Sequence, residues 1–165
     1  MITATANCSL TTLLTVFVTM QTVLNPGFSS HAKGVSLPVA TILDRTLAQE
    51  PEQQYFLYIP STGSAGVPVF VTVHGISRNA TQHMRHFAPL AEHYGVVLVA
   101  PLFPRDHFRD YQRLGRRGKG KRADHALDKI VTEVGSLTGA TTDTLYLFGY
   151  SGGGQFVHRY ALAHP

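Results

Sequence analysis

The chain has 165 residues, room for one domain with a buried core but not for two of ordinary size. Apolar residues make up 44% and mean hydropathy is +0.02, which excludes a disordered chain. The net charge of +4 gathers in one loop, so it is a local feature, and the single cysteine, Cys8, excludes a disulfide framework or a thiol-based metal site.

Leu10 to Leu24 is apolar, threonine-rich and uncharged, and too short to span a membrane. Ser30-His31-Ala32 puts small residues at −3 and −1 of a cleavage point after Ala32. Residues 1–32 therefore read as a signal peptide or a disordered extension; no Lys or Arg precedes the apolar run, which counts against the first. A signal peptide implies a secreted or periplasmic protein, and its absence a cytoplasmic one.

Residues 33–165 read as one domain. Pro38 to Leu47 and Gln54 to Ile59 are expected strands, with Gln49 to Glu52 as the turn of a hairpin. Ser61 to Gly66 is a small-residue turn. Val67 to Val73 is β-branched and apolar almost throughout, as in a strand covered on both faces of a parallel sheet. It runs into His74-Gly75-Ile76. A helix follows from Thr81, as its cap, to about Tyr94, with Met84, Phe87, Ala91 and Tyr94 on one face. Pro89 should kink or restart it, and Gly95 is a natural C-terminal cap. Val96 to Ala100 is another buried strand. A long loop spans residues 101–121. Ala123 to Leu137 has helical periodicity at Ala126, Leu127, Ile130, Val134 and Leu137, and Asp143 to Phe148 is a strand.

That strand leads into Gly149-Tyr150-Ser151-Gly152-Gly153, a G-x-S-x-G, and then into a helix with Phe156, Val157, Tyr160 and Ala161 on its apolar side. Strand, glycine turn with serine at its apex, helix: this is the setting of a nucleophile elbow. Acyl transfer needs an exposed serine, small neighbours that admit a substrate carbonyl, and backbone N–H groups at a helix start for the developing oxyanion. A glycine-rich turn that merely packs is the structural alternative.

Strands alternating with helices indicate an α/β domain: a leading antiparallel hairpin, then a mostly parallel sheet with helices on both faces. VFVTVHGISRNA, FAPLAEHYGVVLVAP, RADHALDKIVTEVG and LYLFGYSGGGQFVHRYALAHP, covering most of residues 39–165, resemble serine α/β-hydrolases of the esterase and polyhydroxybutyrate-depolymerase type. The resemblance implies an incomplete α/β-hydrolase fold. It makes Ser151 the nucleophile, the Gly152 and Ile76 backbone N–H groups the oxyanion donors, and His74 and Gly75 the turn that carries the second donor. It implies a small-molecule or polymeric ester as substrate, no cofactor and no metal.

In this family an Asp or Glu and then a His follow the serine. The fourteen residues after Ser151 hold no acid and two histidines, His158 and His164, about 10 and 20 Å along the helix. Neither reaches the roughly 3 Å that proton transfer requires. The chain thus resembles the front portion of a hydrolase, with an open apolar sheet edge prone to association and little triad-type activity of its own. The alternative is an inactive fragment or a non-catalytic binding module.

Other features point elsewhere only weakly. His83 and His86 share a helix face, but beyond Glu92 nothing completes a metal site. The basic run Arg113 to Arg122 lies near the expected mouth of the site. It lacks the interleaved aromatics of a single-strand binder, which argues against nucleic acid, and reads as a solvated loop. Phe103, Phe108 and Tyr111 either line a pocket or pin that loop. Tyr150 is expected to pack beneath the elbow, and Asp124 and Asp128 to lie on an exposed helix face.

Overall fold

A computed structural model describes residues 36–116 and 119–165. The expected leader, residues 1–32, lies outside the described residues. Five strands form one sheet: β1 (Ile42–Leu47), β2 (Glu50–Tyr58), β3 (Pro68–Val73), β4 (Val97–Pro101) and β5 (Thr141–Gly149). Their order across the sheet is β1-β2-β4-β3-β5. β1 and β2 form the antiparallel hairpin, β2 runs antiparallel to β4, and β3 is parallel to both β4 and β5.

The period-2 alternation of side chains divides each central strand between two cores. Val69, Val71 and Val73 of β3, with Val97 and Val99 of β4, face one core, while Leu98, Ala100 and Phe70 face the other. Helix α1 (Ala80–Tyr94) covers the second face through Ala80, Met84, Ala88 and Ala91. Helices α2 (Ala123–Thr138) and α3 (Gly152–Ala163) cover the first, through Leu127, Ile130, Val134, Phe156 and Tyr160. No helix of the described residues is long and apolar enough to cross a membrane.

Several local expectations change. The hairpin reverses at Ala48-Gln49, so Glu50 to Glu52 belong to β2 and not to the turn. Pro51, which has no N–H to offer, sits where the register slips opposite Thr46 and Leu47; the bulge accommodates it. Pro89 does not interrupt α1. It lies on the exposed side, as does Arg85 one turn earlier, so the carbonyl it leaves unpaired is on the solvent side. Asn79, not Thr81, precedes α1, whereas Gly95 caps it in a left-handed conformation with φ 63°, its N–H donating to the Ala91 and Glu92 carbonyls. Tyr94 and Leu137 are exposed, and Thr138 takes the buried place at the end of α2.

Candidate active site

The sheet order explains why two distant turns meet. β3 and β5 are parallel neighbours in register from Val69↔Leu145 to Val73↔Gly149. The segments that leave their carboxyl ends, His74-Gly75-Ile76 and Tyr150-Ser151-Gly152, therefore emerge side by side. Such carboxyl ends are where open α/β sheets build sites.

Ser151 is exposed and has φ 53° and ψ −113°, a sparsely populated conformation for any residue but glycine. The surroundings hold it there. The Tyr150 N–H donates to the Val73 carbonyl at 3.2 Å, and the Gly153 N–H donates back to the Tyr150 carbonyl at 2.8 Å. Glycine is required around the turn because α3 starts against the strands: a Cβ on Gly149 would overlap the Gly153 carbonyl, and one on Gly153 would overlap the Val73 carbonyl. Tyr150 does not pack beneath the elbow. It is 65% exposed and its ring edge lies over Gly75.

The turn after β3 is equally defined. His74 is fully buried. Its Nδ1–H donates to the Gly75 carbonyl at 2.8 Å, and its Nε2 accepts the Phe103 N–H at 3.0 Å. These partners fix one tautomer of a neutral ring. Burial pushes its pKa down to about 4, against the smaller upward pull of the Gly75 carbonyl. Tyr111 Oη donates to the His74 carbonyl at 2.9 Å, and the Arg78 N–H closes the turn on the Gly75 carbonyl at 3.0 Å. Among the described residues, the Ile76 N–H donates to no backbone carbonyl of this turn. A Cβ built on Gly75 would lie 3.6 Å from Ser151 Cβ, and one built on Gly152 would lie 3.6 Å from Ile76 N. The structure thus brings the exposed Ser151 and Ile76 together with the buried Gly152 and Gly75, and His74 braces the turn from the core.

Other histidines are placed elsewhere. His83 is buried with Nδ1 2.8 Å from Thr72 Oγ1, whereas His86 is exposed. His158 is exposed on α3. His164, at the far end of α3, stacks on Tyr160 with ring centroids 4.4 Å apart and lies 3.6 Å from Asp124 Oδ2. Asp124 is buried and ion-paired with Arg122, which corrects its expected place on an exposed face; Asp128 accepts the Tyr160 hydroxyl at 2.6 Å. Among the described residues, no group of three His, Cys, Asp or Glu side chains is placed to hold a metal ion.

In the loop after β4, one of the two expected roles of the aromatic residues is the one observed. Phe103, Phe108 and Tyr111 are buried and pin it to the core, stacking on one another and toward Phe156. The basic run is not simply solvated: Arg116 pairs with Asp110, Lys121 with Glu50 and Glu52, and Arg122 with Asp124. Other cations share a cleft with Ile76. Arg78, Arg105 and Arg109 line an open cleft of about 800 Å³ together with Ile76, Asp106, Tyr111 and Gln112. The signal for them lay in position: each stands in a loop leaving the carboxyl end of β3 or β4.

No protein-family model and no curated protein matches the chain. Among solved structures it is similar to poly(aspartic acid) hydrolase-1 from Sphingomonas sp. KT-1, at 22% identity and a TM-score of 0.61, over 74% of this chain and 50% of that one. It is similar to a poly(3-hydroxybutyrate) depolymerase from Bordetella parapertussis, at 24% identity and a TM-score of 0.60, over 76% and 47%. An acetyl xylan esterase from Aspergillus awamori matches at 19% identity and a TM-score of 0.54, over 68% and 43%. The chain spans about half the length of the first two. Over that span, the described residues have the α/β-hydrolase fold.

Proposed function

We propose that this chain is the nucleophile-bearing portion of a serine hydrolase that cleaves carboxylic esters through an acyl-enzyme. The observation that carries the reading is Ser151 itself: an exposed hydroxyl on a strained turn, held beside a second turn whose Ile76 N–H is not used within the turn. In this reading Ser151 Oγ attacks the ester carbonyl. The Gly152 and Ile76 N–H groups receive the oxyanion, and each such donor stabilises the transition state by roughly 3 kcal/mol. The intermediate collapses, the alcohol leaves, and water then releases the acid from Ser151. That solved structures of similar fold include hydrolases of a polyester, a polyamide and an acetylated polysaccharide supports acyl transfer as the reaction class.

Deprotonation of Ser151 needs a base. His74 does not serve, since both its ring nitrogens are committed to Gly75 and Phe103. We assign the base and its acid partner to residues outside those described, and expect the 165-residue chain alone to have little activity. Hydrolysis of p-nitrophenyl acetate by the full-length protein, lost in Ser151→Ala, is the expected result. Equal turnover by Ser151→Ala would refute the assignment.

The commitment of His74 also favours a second reading, an inactive hydrolase portion that binds without turnover. A folded full-length protein that binds esters and never hydrolyses them would establish it.

A further inference from the structure

The cleft beside the elbow is lined by three guanidinium groups, Arg78, Arg105 and Arg109, against one carboxylate, Asp106. The Asp106 carboxylate is already engaged with its neighbour: Oδ1 accepts the His107 N–H at 3.1 Å and Oδ2 lies 3.5 Å from His107 Nε2. Arg116, Lys121 and Arg122 of this loop have carboxylate partners, whereas Arg113 and Lys119 have none among the described residues. Among the described residues, Arg78, Arg105 and Arg109 have none. Three guanidinium groups without a carboxylate partner therefore meet at one cleft.

Arg78 is held in place. Its backbone is left-handed, with φ 55°. Its guanidinium sits 5.1 Å over the Tyr111 ring, and Nη2 donates to the Phe108 carbonyl at 3.3 Å. Its Nε is buried with no hydrogen-bond partner. A buried donor without an acceptor is costly, and a neighbouring like charge adds to the cost; an anion in the cleft relieves the second. Arginine also matches a carboxylate better than lysine does, because its planar fork donates two parallel bonds.

The cleft adjoins the reactive turn. Ile76 lines it, and Ile76 N lies 3.6 Å from where a Gly152 Cβ would stand. Its volume of about 800 Å³ accommodates an ester together with a charged substituent. We propose that this cleft binds a carboxylate carried by the ester, so that the enzyme selects anionic esters over their neutral counterparts. The proposal rests on Ser151 as the nucleophile only for the word ester; the recognition of the anion stands on the arginines.

Binding of monomethyl succinate and of dimethyl succinate to full-length protein carrying Ser151→Ala, followed by NMR at low ionic strength, tests it without turnover. The monoanion is expected to bind at least about tenfold tighter, with the preference shrinking as salt is added. In Arg105→Gln/Arg109→Gln, both exposed positions, the preference should fall close to unity while the melting temperature holds. Equal binding of the two esters, or a preference that survives both that double variant and Arg78→Gln, overturns the proposal. Loss of the Ser151 assignment would instead appear as a failure of ester hydrolysis with the anion preference intact.

Discussion

A Cβ built on Gly152 would lie 3.0 Å from Ile76 Cγ2, tighter than ordinary contact, so the start of α3 and the turn after β3 leave little room for a side chain. The same Cβ would be 2.8 Å from Tyr111 Oη, closer than such atoms approach. Gly152→Ala should therefore destabilise the protein by about 1–3 kcal/mol in urea unfolding. Tyr111→Phe removes the obstructing oxygen, so the double variant should lose less than the sum of the two single losses. Strict additivity would show that the two residues do not press on each other.

Strain at Ser151 gives a prediction of opposite sign. Glycine tolerates φ 53° and ψ −113° far better than serine does. Ser151→Gly should raise stability by roughly 1 kcal/mol, and Ser151→Ala should not, because alanine keeps the Cβ. Equal stability of the two variants would argue against a strained elbow.

His74 ties stability to pH. Its folded pKa of about 4 lies below the ordinary value of 6.5, because burial disfavours the charged ring. Between these values the unfolded state binds the proton and the native state does not, so stability increases with pH through that window. The contribution is complete above pH 6.5, declines as pH falls toward 4, and amounts to roughly 3 kcal/mol. Urea midpoints of the parent and of His74→Gln should diverge across this range, the parent showing the steeper slope. Parallel slopes would mean that His74 is not buried as a neutral ring.

The edge of the sheet bears on association. Among the described residues β5 pairs with β3 on one side only, and Tyr146 on it is 57% exposed. Beside it Phe70, Phe87, Leu90 and Tyr94 line an apolar groove. Copies of this 165-residue chain should therefore associate with one another, and Tyr146→Lys should shift sedimentation toward monomer. A monomeric parent chain at high concentration would remove the edge as an interaction surface.

Much of this arrangement could be read from the residues. The run Val67 to Val73 announced a strand covered on both faces, and it lies between β4 and β5 with a helix layer on each side. The glycines around Ser151 announced a tight strand-to-helix turn, and Gly149 and Gly153 pack where no Cβ fits. What local patterns missed depends on contacts made far along the chain. Asp124 is buried because Arg122 and the distant His164 meet it. Arg113 to Arg122 looked like a solvated run partly because Glu50 and Glu52, the partners of Lys121, belong to β2. The arginines of the cleft are scattered singly at positions 78, 105 and 109, and only the sheet order brings them together.

The proposed function makes Ser151 an activated nucleophile. Treating the full-length protein with a fluorophosphonate and locating the adduct by mass spectrometry tests it most directly. One phosphonyl group on Ser151, and none in Ser151→Ala, is the expected result. A folded full-length protein that stays unlabelled, or carries the adduct on another residue, would contradict it.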